Sequence, residues 1–210
     1  MGVQLLDQWL LKEQKQKQEN FRILNQYALR EPEIIFVGDS MIDYYPVEEL
    51  LVSQKSFVNR GIKGYKSYQI LEHFSDHFFG RKLEKVFLLI GTNDLVTEKE
   101  QAEIIDNVYL TIQMLKREYP HILIHLISVL PVNEHPNYKG TVYIRKNSDI
   151  QDLNQSYKSL SQQIESVKYI DVYNCFLDQA GQLKETYTVD GLHLNIEGYI
   201  VLSKELQKYL

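Results

Sequence analysis

The chain has 210 residues, 44% of them hydrophobic and 24% charged, with a net charge of −5. That length buries one core, and the acidic balance argues against nucleic acid or an anionic membrane as a partner. A single cysteine, Cys175, leaves no intrachain disulfide and no cysteine-based zinc site. Residues 1–30 lack the apolar core of a signal peptide, and no apolar run approaches the roughly 20 residues of a membrane span, so a cytoplasmic location is expected.

Residues 3–29 read as a helix, apolar at Leu5, Leu6, Trp9 and Leu10 and again at Phe21, Leu24 and Ala28. The polar stretch between predicts a solvated helix docked by its two ends, an extension over 1–32 packed on a domain over 33–210; a dimer contact is the alternative. Glu31-Pro32 closes it, because the residue before proline avoids the α region. Glu33-Ile34-Ile35-Phe36-Val37 then reads as a strand buried on both faces, the habit of parallel sheets. It stops at Gly38-Asp39-Ser40, which puts a hydroxyl at the strand's carboxyl end, where open α/β sheets bind ligands.

Met41 to Leu51 starts as a helix and runs into a turn. Ser56-Phe57-Val58-Asn59 is a short second strand, and Gly61 and Gly64 follow it in a loop. A helix with Tyr68, Leu71, Phe74 and Phe78 on one face comes next. Val86 to Ile90 is the plainest buried strand, ending at Gly91-Thr92-Asn93-Asp94. Thr97 with Glu100 forms a capping box for a helix striped by Ile105, Val108, Ile112 and Leu115. Ile122 to Val129 is a fourth strand, in which His125 reads as a satisfied core histidine. Residues 130–147 form the longest irregular stretch, either a cover over substrate or a connector.

Ser148 with Gln151 is expected to cap a helix carrying Ile150, Leu153, Tyr157, Leu160 and Ile164. Tyr169 to Val172 is a fifth strand, and Asn195 caps a last helix with Tyr199, Leu202, Leu206 and Leu210. Five alternations of strand and helix predict an α/β fold, a three-layer α/β/α sandwich around a central five-stranded parallel sheet. Its carboxyl edge would gather Ser40, the glycine loop, Asn93 and the 130–147 segment. Asp190 and His193, three apart, could supply a base, the carboxylate fixing Nδ1–H and leaving Nε2 towards a serine.

Gly38-Asp39-Ser40, Asn59-x-Gly61-Ile62-x-Gly64, Gly91-Thr92-Asn93-Asp94 and Asp190-Gly191-Leu192-His193 resemble, in order and spacing, the four blocks of SGNH (GDSL-type) hydrolases, which have a flavodoxin-like fold. Phe36 to Met41 and Leu192 to Tyr199 are most similar to the platelet-activating-factor acetylhydrolase-like branch. The resemblance implies Ser40 as nucleophile, His193 as general base and Asp190 as its orienting acid. It implies an oxyanion hole from the Ser40 and Gly64 N–H groups and the Asn93 amide, with no metal or organic cofactor. Lys63 and Tyr65 depart from the glycine and acid that relatives often carry there, which leaves the choice of Gly64 over Gly61 open. The implied substrates are small or lipid-derived carboxylic esters, short-acyl or acetyl, with O-acetylated carbohydrate an alternative; the branch suggests a homodimer. The rivals are a metal-dependent phosphoesterase using Asp39, Asp94, Asp190 and His193, and a non-catalytic binding module. Asp39, Asp94, Asn59 and Asn154 are expected to hold loops, and Cys175 to be inert.

Overall fold

A computed structural model describes residues 2–28, 31–97 and 101–210. Five strands form the sheet: β1 (Ile34–Gly38), β2 (Phe57–Gly61), β3 (Lys85–Leu89), β4 (Leu123–Ile127) and β5 (Val167–Ile170). All pairings are parallel, in the order β2-β1-β3-β4-β5. Every carboxyl end therefore lies on one edge, as expected. β1 and β3 are buried along their whole length, which is why Ile34 to Val37 and, after Lys85, Val86 to Leu89 read as apolar runs.

The helices are α1 (Gly2–Tyr27), α2 (Ser40–Asp43), α3 (Val47–Leu50), α4 (Ser67–Glu72), α5 (Phe74–His77), α6 (Gln101–Glu118), α7 (Lys139–Val142), α8 (Asn147–Gln162) and α9 (Ile196–Leu206). On one face of the sheet, Phe36, Phe87 and His125 stand opposite one another in register and stack, with centroids 4.7 Å apart at each step. Tyr45 meets Phe36 edge-on and stacks on Tyr199 of α9, so α9 roofs this face. Helices α4, α6 and α8 pack on one another in a second layer, and α8 lies along β5.

Several local expectations are corrected. The helix over Tyr68 to Phe78 is two short helices, broken at His73, whose φ of −109° and ψ of 34° leave the helical region. Helix α8 starts at Asn147, so Ser148 lies inside it; Ser148 Oγ bonds Asp149 instead of capping, and Asn147 clasps Val132 through its N–H and C=O. Asn195 caps α9 as expected, accepting from Gly198 N–H. The proposed box of Thr97 and Glu100 lies partly outside the described residues; Thr97 Oγ1 donates to the Asp94 carbonyl. His125 is a core residue, but its buried Nδ1 has no partner among the described residues, and burial with two nearby lysines lowers its pKa to about 4.

The largest correction concerns α1. Trp9 and Leu24 are 53% and 52% exposed, whereas Gln14 and Gln18 are 5% and 8% exposed. The helix docks by its polar middle. Gln14 Nε2 donates to the Lys63 carbonyl and Gln18 Nε2 to Asp76, while Lys17 pairs with Asp43, Glu13 with Lys63 and Arg22 with Asp76. Phe21 is the apolar anchor, with the Arg60 guanidinium 4.6 Å from its ring centroid. The side chains of Leu5 and Leu6 lie outside the described ones. No helix among the described residues is long and apolar enough to cross a membrane.

Candidate active site

Ser40 opens α2 directly after β1. Asp39 is the N-cap and accepts from Met41 N–H through Oδ1, and the Ser40 N–H meets no acceptor among the described residues, as is common for first-turn amides. Ser40 Oγ lies 3.0 Å from His193 Nε2, and His193 Nδ1 lies 2.7 Å from Asp190 Oδ2. An ionised carboxylate only accepts, so Nδ1 carries the proton and Nε2 faces the hydroxyl as an acceptor. Asp190 Oδ1 also takes the N–H groups of Leu192 and His193. Burial pushes the Asp190 pKa up, but these bonds and the histidine outweigh it and hold the carboxyl below its ordinary value. The structure thus brings the three residues expected as a triad into one hydrogen-bonded chain.

The β2 loop lies beside Ser40 because β2 neighbours β1. At Gly61 a Cβ would fall 2.3 Å from Asp43 N, so only glycine lets α2 cross here. Gly61 N–H is already donated to Asn59 Oδ1, while Asn59 Nδ2 holds the Ile42 and Tyr45 carbonyls. Lys63 N–H goes to Asp43 and Tyr65 N–H to Ile62. Gly64, at φ +74°, keeps an N–H that meets no acceptor among the described residues. Asn93 follows β3 on the other side of β1; Nδ2 gives one hydrogen to the Tyr65 carbonyl at 3.0 Å and retains a second.

The 130–147 segment packs on this edge. Asn133 N–H bonds the Gly191 carbonyl, and the Tyr138 side chain fills the space where Gly191, at φ +81°, has no Cβ. From its end, Arg145 reaches the Thr92 carbonyl and Asn93 Oδ1. Sequence reading passed over Arg145, because a lone basic residue in an irregular stretch carries no periodic or motif signal. Asn154 clamps Val129 through its N–H and C=O, a structural use as expected.

The acids Asp39 and Asp94 hold backbone. Asp94 accepts from Ser67 N–H and Oγ, and burial still raises its pKa. Among the described residues no three His, Cys, Asp or Glu side chains form a group able to hold a metal ion. Asp39 is fully buried and its Oδ2 has no partner among the described residues; burial pushes its pKa up to about 7 against the Met41 N–H and the nearby His193 and Arg145, with Asp94 adding to the rise. The unfolded value is about 3.9. Between about pH 4 and 7 the folded chain therefore keeps a proton that the unfolded chain has lost, and stability falls as pH rises through that window. Asp39→Asn keeps an N-cap acceptor and removes this titration. The Tm of wild type relative to Asp39→Asn should drop from pH 4.5 to 7.5; parallel curves would acquit Asp39.

Beside the triad, the Tyr44 ring meets the His193 ring edge-on at 5.5 Å. Tyr44 also lines a cleft of about 570 Å³ between α1 and the loops after β1 and β2, with Trp9, Lys12, Asn20 and Lys63 on its walls.

Comparison with known proteins gives this edge a context. The profile of the GDSL-like Lipase/Acylhydrolase family matches residues 36–201. The N-acylneuraminate cytidylyltransferase of Escherichia coli O18:K1:H7 is 33% identical over 181 residues, covering 83% of this chain; the chain spans only 39% of that relative. The platelet-activating factor acetylhydrolase IB subunit alpha2 of Rattus norvegicus is 26% identical over 185 residues, 86% of this chain and 77% of that protein. Among solved structures, a Streptococcus pneumonia protein described provisionally as a platelet activating factor superposes with a TM-score of 0.97 at 48% identity, covering 100% of this chain and 98% of that one. With the serine, the glycine loop, the asparagine and the Asp-x-x-His turn on one sheet edge, the chain belongs to the GDSL-like lipase/acylhydrolase family and is an ester-hydrolysing enzyme.

Proposed function

We propose that the enzyme is a serine esterase for short-acyl carboxylic esters that works through an acyl-serine intermediate. The observation that carries this reading is the continuous Ser40–His193–Asp190 chain, with 3.0 and 2.7 Å links. His193 Nε2 takes the Ser40 proton as Oγ attacks the ester carbonyl, and Asp190 stabilises the imidazolium that forms. The carbonyl oxygen becomes an anion that needs donors already in place. The Ser40 N–H, the Gly64 N–H and the second hydrogen of Asn93 Nδ2 are the uncommitted donors on three adjacent strand ends. Gly64 is preferred to Gly61 because the Gly61 N–H is spent on Asn59. His193 then protonates the departing alcohol, and water, deprotonated by the same nitrogen, releases the acid.

The leaving oxygen must lie beside His193 Nε2, and in this reading the alcohol portion runs past Tyr44, whose ring meets His193, towards the cleft under α1. The Tyr44 ring, and beside it the Trp9 ring with Lys63 Nζ 4.3 Å from its centroid, stand among amides and charges, which suits a hydroxylated ring better than an alkyl chain. That favours a second reading, removal of O-acetyl groups from carbohydrate, over a lysophospholipid or platelet-activating-factor-like lipid.

Initial rates on p-nitrophenyl esters from acetate to a long acyl chain test the proposal, with Ser40→Ala alongside. Turnover should peak at the shortest chains and vanish in the variant. A serine-dependent peak at long chains would move the reading to lipid esters, and activity surviving in Ser40→Ala would end the acyl-serine mechanism. An acetylated pyranoside should surpass an acetylated glycerolipid in kcat/KM if the carbohydrate reading holds.

A further inference from the structure

We infer that Arg145 is a positioning residue for ester hydrolysis, acting through the Asn93 amide; this rests on the proposed role of Asn93 in the oxyanion hole. Arg145 is 8% exposed, yet it has no carboxylate partner among the described ion pairs. Its guanidinium is spent on neutral oxygens: Nε on the Thr92 carbonyl at 2.9 Å, Nη1 on the Thr141 and Val142 carbonyls at 3.2 Å each, and Nη2 on Asn93 Oδ1 at 3.0 Å. Asp39 and Asp190 act on it only through space, and burying a cation without a directly paired carboxylate is costly. The backbone accepts a second cost to seat it: Tyr143, two residues earlier, is the only non-glycine residue with positive φ among those described, at +61°.

What this arrangement fixes is the face of an amide. An asparagine side chain can be turned over with almost no change of shape, exchanging its oxygen for its NH₂ group. Here the turned amide would set NH₂ against the guanidinium N–H and oxygen against the Tyr65 carbonyl, two clashes of like polarity. The observed orientation satisfies both neighbours, and it alone commits the spare Nδ2–H to the substrate side. The guanidinium also draws electron density from Oδ1, which makes that N–H a better donor to a developing anion. Thr92 and Asn93 are held by one planar fork, so the donor's position is set from outside the four sequence blocks that mark the family.

The test is a double-mutant cycle on p-nitrophenyl acetate hydrolysis. Arg145→Ala should lower kcat by about 10- to 100-fold, the scale of misaligning one preorganised group, with KM changed less than about threefold. In an Asn93→Ala background the same change should cost less than about twofold, because the amide it positions is gone. Arg145→Lys, which keeps a cation but not the fork, should fall between wild type and Arg145→Ala; if the alanine variant does not fold, the lysine variant carries the same cycle. Equal losses with and without Asn93 would overturn the link and leave Arg145 a structural residue. Normal turnover in Asn93→Ala alone would instead remove the oxyanion role of Asn93, and Arg145's with it.

Discussion

Ser40→Ala and His193→Ala should each lower kcat by roughly 10⁴–10⁶-fold, about 5–8 kcal/mol, and the double variant should lose no more than a few-fold beyond either. The reason lies in the serial chemistry. Without His193, Ser40 keeps its proton and is a poor nucleophile; without Ser40, His193 has nothing to deprotonate. The residual rate over uncatalysed hydrolysis would come from whatever donors still bind the oxyanion. Neither variant should threaten the fold, since among the described residues Ser40 Oγ bonds His193 alone, and the freed ring nitrogen belongs to a part-exposed side chain. Rate constants from a single ester at saturating concentration, with Tm recorded for each protein, decide the matter. Losses that multiply in the double variant would show two independent contributions in place of one relay.

Asn93→Ala should cost about 10²–10³ in kcat, roughly 2.7–4 kcal/mol, with a much smaller effect on KM. The asymmetry follows from when the bond is made: a neutral carbonyl gains little from the amide, and the tetrahedral anion gains much. Losing the bond to the Tyr65 carbonyl costs about 1 kcal/mol and losing the acceptor of the buried Arg145 guanidinium roughly 1.5–3 kcal/mol more, so Tm is recorded beside turnover, and kcat should fall in protein that is still folded. A variant that turns over normally, or one that loses affinity alone, would place Asn93 outside the transition state.

The edge of the sheet was readable because it is written in local chemistry. β1 and β3 are wholly buried, so they appear as apolar runs, and each is cut by glycine just where a polar group begins. β2 was read two residues short: Arg60 looks like a loop residue, yet its guanidinium lies against the Phe21 and Phe79 rings, 4.6 and 4.8 Å from their centroids. The break at His73 was invisible, since Ile70, Phe74 and Phe78 keep helical spacing across it. Arg145 was missed for a different reason: its distant partners are the Thr92 carbonyl and the Asn93 side chain past the end of β3, and no spacing rule encodes them. Helix α1 was misread because periodicity weighs apolar residues only, and this helix is held by amides and ions.

That mode of attachment makes α1 thermodynamically distinct from the body it rests on. Glutamine and lysine contacts exchange water for protein at little net gain, about 0.5–1.5 kcal/mol for a hydrogen bond and less for an exposed ion pair. Few oily groups resist separation, with Phe21 the main anchor. The helix should therefore lift as a unit at lower cost than the sheet opens. Its amides should exchange hydrogen faster than those of α9, and added salt should loosen it while the sheet, held by apolar burial, is left undisturbed. One wall of the cleft beside Tyr44 is thus fastened mainly by polar contacts, and raising the ionic strength should widen that cleft while the sheet edge behind it stays in place.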